Sequence, residues 1–445
     1  MRLSGGWRAG VALAVVVAGT AQAASLEQML AQAYRDSPEL AAARARFEAA
    51  VERVGQALSG FRPRLFVEGQ VDAQAGQAGR ADLDRAGASV ALVVSQNLYA
   101  GGGTRAAVAA ADEAVAAERA RLLDAEQNVL LQAVRAYVAT WRDRRVLELA
   151  RTNQRRLARQ LQATRDRFEV GEVARTDVAQ AEARLARAQA DVERARAELA
   201  ASEAEFARVI GIQVPEELAD PQLAGGLPAD LEQTLAATER HPLVVAAEAE
   251  VARAERAADQ AFAALLPSLD LNASLRYADD PAPATDWQRD ARVELRLRVP
   301  LYQGGGEYAR VREQRRRIEA ARRRLDQVRR EVRRRAASAW ERLTASRAAV
   351  RALESEVEAN RIALEGVQQE ALVGARTVLD VLDAEQELFR ARVDLARARA
   401  DEVLASYELQ AAVGGLLADR LGLDVPVYDP RAYERRQRGR WWGLE

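Results

Sequence analysis

The sequence reads Leu98-Tyr99-Ala100-Gly101-Gly102-Gly103 and, 203 positions later, Leu301-Tyr302-Gln303-Gly304-Gly305-Gly306. The same shift relates Val170-Gly171 to Val373-Gly374 and Asp177 to Asp380. A shift that stays constant between such distant landmarks is typical of an internal duplication. The chain is therefore predicted to contain a tandem repeat, with residues 24–225 and 226–420 as its two halves and residues 421–445 as a C-terminal tail.

The first 23 residues have the pattern of a cleaved secretory signal peptide. Arg2 and Arg8 precede a short apolar run, residues 11–18, and the segment ends on Ala21-Gln22-Ala23. A membrane anchor is the alternative, but the apolar run is too short to cross a bilayer. We therefore expect an exported protein whose mature chain starts at Ala24.

The composition excludes several classes of function. The chain has no cysteine, one histidine (His241), 65 basic and 66 acidic residues. Without cysteine the chain cannot form disulfides or thiolate metal sites, and its single histidine gives no choice of residues for a Ser-His-Asp triad. A nucleic-acid binder would need a surplus of positive charge, which is absent. We expect no enzyme, cofactor or metal site, and we expect His241, which precedes Pro242, to be a helix cap or turn residue.

Each half contains a stretch of some 65 residues that lacks proline, at 104–169 and 307–371. A helix of that length is about 100 Å long, which exceeds any globular domain. A turn at Gly171 or Gly374 then leads into a second helix of about 35 residues. Shorter helices stacked beside the long one would form the wall of a tube, so the fold is predicted to be mainly α, with long antiparallel helices.

Four segments alternate between apolar and polar residues, at about 63–75, 87–98, 268–278 and 290–301. Each is about 10 residues long, which suits a tilted strand crossing a bilayer. Four strands cannot close a membrane barrel, since the smallest barrels need about eight. Membrane strands would therefore require an oligomer, and three copies would supply twelve. A small soluble sheet is the alternative.

Two other patterns receive simple interpretations. The glycine runs 101–103 and 304–306 follow strands and precede helices, but they lack the Lys-Ser/Thr ending of a phosphate loop and occur twice. We interpret them as strand-to-helix hinges.

The arginine-rich stretch 310–335 contains interspersed acids, so we expect a solvated or interhelix-paired face and not a nucleic-acid site.

Taken together, these features resemble the TolC family of outer-membrane efflux and secretion channels, over nearly all of the mature chain. The most specific match is the second tip segment, Val373 to Glu385, which, like the tail segment 428–443, resembles the branch that works with type I secretion systems. The resemblance implies a homotrimer with a twelve-stranded β-barrel in outer-membrane lipid and an α-helical tunnel across the periplasm. It also implies two partners, a periplasmic membrane-fusion adaptor and an inner-membrane ABC transporter or proton-driven pump.

The resemblance places a periplasmic gate, formed by rings of lumen carboxylates, at Asp380 and Asp383. Their spacing of three puts both carboxylates on one helix face, and mutual repulsion in a trimer is expected to raise some of their pKa values. The alternative is a purely local role, because Thr377 and Asp380 have the spacing of a capping box.

Further roles at the tips also come from the resemblance alone. It implies a latch formed by Thr176, Asp177 and Arg376, although the tyrosine that often joins it is replaced by Ala371. The tip turns Val170-Gly171 and Val373-Gly374 match positions that adaptors contact. A solvated charge for Arg376 and a tight turn for the glycines are the simpler alternatives.

The function expected from these observations is a passive outer-membrane exit duct of a tripartite export system, with type I protein secretion preferred. Small-molecule or metal efflux for a proton-driven pump is the first alternative. A soluble periplasmic coiled-coil adaptor or scaffold is a more distant one, because it leaves the duplicated alternating strands unexplained.

Overall fold

A computed structural model describes residues 23–78, 81–82, 85–282 and 285–443. The predicted signal peptide lies outside the described residues except for Ala23, and the two loops at the strand tips lie partly outside them. In chain order the elements are α1 (Leu26–Asp36), α2 (Pro38–Leu58), β1 (Arg64–Gln74), β2 (Gln77–Ala78), β3 (Ala81–Asp82), β4 (Arg85–Ala100), α3 (Gly103–Glu169), α4 (Arg175–Ile210), α5 (Leu231–Ala237), α6 (Pro242–Ala263), β5 (Ser268–Ala282), β6 (Thr285–Arg298), α7 (Gly306–Leu372), α8 (Val378–Ala412) and α9 (Pro430–Arg438).

The helices α3 and α7 dominate the molecule, and each contains 67 residues. At 1.5 Å per residue each is about 100 Å long. Helix α3 packs along α4 and α2, and α7 packs along α8 and α6. The long helices with shorter partners beside them are the tube wall that the uninterrupted stretches predict.

Strands β1, β4, β5 and β6 form one antiparallel sheet in the order β1-β4-β5-β6. Each half of the chain contributes two neighbouring strands, and the halves meet where β4 pairs with β5. The short strands β2 and β3 pair with each other near the tip of the first hairpin. Strands β1 and β6 are the sheet edges, so each has a row of backbone groups without a strand partner among the described residues.

One face of the sheet is apolar and exposed. The register aligns Val67 with Leu92 and Leu92 with Leu275, so the apolar positions of successive strands share a face. The apolar side chains at the sheet edges are strongly exposed, with Val71 at 82% and Val293 at 76%. The opposite face carries the polar and charged residues of the alternation, among them Glu68 and Arg292.

Among the described helices, none combines the length and the apolarity that crossing a bilayer would need.

The core is distributed along the helices. The largest cluster lies where α1 and α2 pack on the middle of α3, and includes the fully buried side chains of Phe47, Leu130 and Tyr137. The Tyr137 hydroxyl shares its one hydrogen between the carbonyl oxygens of Ala24 and Ala219, at 2.8 and 2.7 Å, and so connects the expected mature start to α3. Smaller apolar clusters follow along the hairpins towards the tips.

The tail runs back along the first half of the chain. Helix α9 packs on α2, the Tyr428 hydroxyl donates to Glu48 Oε1 at 2.8 Å, and Arg438 pairs with Asp112 at 3.0 Å. The Arg62 guanidinium then lies 4.7 Å from the ring centre of Trp441. The tail therefore reaches the junction between the helices and the sheet.

His241 caps α6, as expected, because its Nδ1 accepts from the Leu243 N–H at 3.1 Å. Burial of the imidazole lowers the pKa of His241 from its usual 6.5 to about 4. The equivalent position in the first half is Ser37, whose hydroxyl oxygen caps α2.

We expect the protein to lose stability when the pH falls from about 6.5 towards 4. The unfolded chain binds a proton on His241 in that window and the folded chain does not, so the free energy of unfolding falls by up to about 1.4 kcal/mol per pH unit. The His241→Ser variant should lose this part of the pH dependence and keep its cap. The measurement is the urea unfolding midpoint of both proteins across the window, and equal slopes would contradict the prediction.

Candidate functional site

The candidate site is the end of the tube where α3 turns into α4 and α7 turns into α8. Both turns have the same hydrogen bonds: Glu172 N–H donates to Arg167 C=O at 2.9 Å, and Ala375 N–H donates to Glu370 C=O at 2.9 Å. This is the Schellman arrangement, which needs a left-handed residue after the helix end. Gly171 and Gly374 supply it with φ of +81° and +78°.

The valines that precede these glycines point into solvent. Val170 is 72% exposed and Val373 is 81% exposed, and Leu372 beside it is also exposed. The tight-turn role of the two glycines is therefore present, and each turn also presents an exposed apolar residue at the end of its hairpin.

Asp380 lies in the first turn of α8 and closes a complete capping box. Its Oδ2 accepts from the Thr377 N–H at 2.9 Å, and Thr377 Oγ1 accepts from the Asp380 N–H at 3.2 Å. These bonds favour the ionised form and hold the pKa of Asp380 below its usual range. The capping role is thus present within one chain, whereas the expected rise of the pKa concerns rings of carboxylates in a trimer and stays a prediction.

Asp383, one turn further along α8, forms an ion pair with Arg184 of α4. This pair joins the two hairpins through residues that are 199 positions apart in sequence. Both aspartates lie on the same helix, as the spacing predicts, but they have different partners. The sequence pattern did not identify Arg184, because its pairing depends on how α4 is aligned beside α8.

The three expected latch residues are not in contact with one another within one chain. Asp177 Oδ2 accepts from the Ala174 N–H at 3.1 Å and so caps α4. Arg376 Nε donates to Glu370 Oε2 at 2.8 Å within its own hairpin. Among the described residues, no hydrogen bond or ion pair joins Arg376 to Thr176 or Asp177, so the latch stays a prediction for contacts between chains.

The glycine hinges lie at the other end of the tube, where strands become helices. Gly101, Gly102, Gly304 and Gly305 all have positive φ, between 60° and 85°, and Gly103 and Gly306 begin the long helices. The first hinge is crowded, because a Cβ on Gly101 would lie 2.5 Å from the Ala263 carbonyl oxygen. The second is open, because no atom of the described residues lies within 4 Å of a Cβ placed on Gly304.

Comparison with known proteins identifies the class to which this arrangement belongs. A family model described as outer membrane efflux protein matches residues 29–212 and 235–415, one segment in each half of the chain. The chain belongs to this family.

Individual relatives agree with the family. Outer membrane efflux protein BepC of Brucella suis is 36% identical over 443 residues, which cover 98% of this chain and 96% of BepC. Alkaline protease secretion protein AprF of Pseudomonas aeruginosa is 29% identical over 306 residues, with 66% and 63% of the two chains covered. The crystal structure of the Campylobacter jejuni CmeC outer membrane channel aligns with a TM-score of 0.80 at 14% identity, over 93% of this chain and 89% of CmeC.

Family membership confirms the resemblance, the fold class and the location. The protein is an outer-membrane efflux channel that extends into the periplasm, with a helical tunnel and a strand portion. A soluble adaptor or scaffold is thereby set aside. The relatives' names describe channels and secretion proteins and not enzymes.

Proposed function

We propose that the protein is a passive, trimeric exit duct of a tripartite export system. The observation that supports this most is the sheet, whose apolar face is exposed and whose edges, β1 and β6, are both open. Each backbone group left unpaired in lipid costs several kcal/mol. Pairing β1 of one copy with β6 of the next removes both edges, and three copies close a barrel of twelve strands, within the range of membrane barrels.

We further propose type I protein secretion as the duct's task. The tip segment 373–385 and the similarity to AprF, named as an alkaline protease secretion protein, support it. The partners would be an ABC transporter and a periplasmic adaptor that contacts the exposed tip turns at Val170-Gly171 and Val373-Gly374. Small-molecule efflux with a proton-driven pump is the second candidate, supported by the name of BepC as an efflux protein.

Asp380 and Asp383 are proposed to form the carboxylate rings of the periplasmic gate. Among the described residues, no cationic side chain is bonded to Asp380, and its pKa, lowered mainly by the bonds to Thr377 and also by the nearby charge of Arg376, keeps it ionised at neutral pH. The charge of Asp383 is compensated by Arg184. Of the two gate aspartates, Asp380 therefore has the less compensated charge, and separation of the two hairpins would free the charge of Asp383 as well.

The test is single-channel recording of the purified protein in a planar bilayer under a salt gradient. We expect a conducting, cation-preferring pore. The variant Asp380→Asn with Asp383→Asn should lose most of the cation preference, because two rings of fixed charge disappear from a narrow, low-dielectric constriction.

Glu193→Gln with Glu205→Gln is the matched control, because it also removes two carboxylates, and both lie on α4 outside the tip and pair with arginines three residues away. Its ion selectivity should stay at the wild-type value. Unchanged selectivity in the double variant would remove the gate assignment, and absence of any conductance in the wild type would refute the duct itself.

A further inference from the structure

Arginines collect at the foot of the sheet, where strands meet helices. Arg64 begins β1, Arg298 ends β6, Arg296 lies one position inward on the same face, and Arg62 precedes β1. The register aligns Arg64 with Ser95, Ser95 with Asn272, and Asn272 with Glu294, which places the strand arginines on the polar face. All four line one cavity of about 420 Å³.

The acids at this level do not balance the arginines. Arg296 pairs with Glu294 at 2.6 Å, and Asp270 accepts a hydrogen bond from Asn97 at 2.8 Å. Within the described part of the chain, Arg64 and Arg298 have no ion-pair or hydrogen-bond partner for their guanidinium groups. Four guanidinium groups against these two carboxylates leave a surplus of two positive charges per chain.

The two unpaired arginines lie on opposite edges of the sheet but at the same end. Successive strands are antiparallel, so β6 returns to the end at which β1 begins. Edge-to-edge closure therefore brings Arg64 of one copy close to Arg298 of the next. Adjacent like charges repel unless an anion lies between them, and guanidinium groups bind carboxylate and phosphate oxygens in bidentate fashion.

The positive charge continues from the foot along α7. Residues 306–336 contain thirteen arginines and five acidic residues. Three of these arginines pair with acids on or just before α6, namely Arg322 with Glu255, Arg329 with Glu248 and Arg333 with Glu239. The expected interhelix pairing thus accounts for three arginines, and five more pair with acids within α7. The remaining five have no ion pair among the described residues and add to a positive field that concentrates anions at the foot.

We propose that the foot of the barrel carries an anion-binding ring, formed by Arg64 and Arg298 of adjoining copies with Arg62 and Arg296. The ring takes carboxylate or phosphate oxygens of anionic solutes inside the lumen. It rests on the proposed function, because only closed edges complete it. The duct then has negative fixed charge at its periplasmic tip and positive fixed charge about one long helix away.

The test uses inorganic hexametaphosphate as the probe on single channels in neutral phosphatidylcholine bilayers. The wild-type current should be blocked, and Arg64→Gln with Arg298→Gln should need at least about tenfold more probe for half block, since bonds to charged groups are the stronger ones. Unblocked conductance of the variant verifies that the barrel has assembled.

Arg196→Gln with Arg208→Gln is the control, because both arginines are exposed on α4 and paired with acids three residues away. Its block should equal that of the wild type. Equal block in the Arg64/Arg298 variant would overturn the ring and leave the duct intact, whereas a wild type without conductance would refute the duct.

Repeating the block in bilayers containing anionic phosphatidylglycerol separates the two sources of phosphate: unchanged block supports a lumen site, and block abolished by the lipid would assign the arginines to headgroups.

Discussion

Gly101→Ala is expected to prevent most of the protein from assembling, whereas Gly304→Ala should be tolerated. Both glycines occupy the first position of equivalent hinges in the two halves, and both have positive φ, +60° at Gly101 and +74° at Gly304. An alanine at either position carries the left-handed penalty of about 1–2 kcal/mol. Only at Gly101 would the new Cβ also lie 2.5 Å from the Ala263 carbonyl oxygen and 2.7 Å from Leu266 Cβ.

The clash at Gly101 involves backbone at the end of α6, which cannot rotate away as a side-chain end can. Displacing it adds about 1–3 kcal/mol of overpacking and shifts the junction between α6 and β5. The measurement is the amount of each variant recovered from the outer-membrane fraction and its thermal unfolding midpoint in detergent. Similar losses for the two variants would show that the contact with α6 does not limit folding.

The helices and strands were predictable because local rules determine them. No proline interrupts 104–169 or 307–371, so each stretch continues as one helix until the turn at Gly171 or Gly374. Strict alternation, as in residues 291–301, is equally local. The capping role of Thr377 was visible for the same reason, since its partner is three residues away.

Contacts between distant segments were not predictable. The pair of Arg184 with Asp383 and the bond from Tyr428 to Glu48 join residues 199 and 380 positions apart. They depend on the axial alignment of one helix against another, which no local sequence pattern encodes. The lowered pKa of Asp380 was missed because the repulsion between carboxylates was assigned to a trimer, while the cap acts within one chain.

Copies of the chain are proposed to share one barrel, joined at β1 and β6. Within a chain these strands are separated by β4 and β5, so they lie about 14 Å apart at about 4.8 Å per strand spacing. A disulfide needs Cα atoms within about 7 Å. A cysteine on β1 and a cysteine on β6 can therefore bond only between copies, and the natural chain has no cysteine to interfere.

The most direct measurement is oxidative cross-linking in intact membranes of Val67→Cys combined in turn with Val293→Cys, Leu295→Cys or Leu297→Cys. The three β6 positions test three successive offsets of β1 against β6, and all lie on the apolar face. Val67→Cys alone is the control and should give no trimer. If the protein is a trimeric duct, at least one cysteine pair should give cross-linked dimers and trimers and no larger species. Monomers for every pair, or cross-linked species of more than three chains, would contradict the shared barrel.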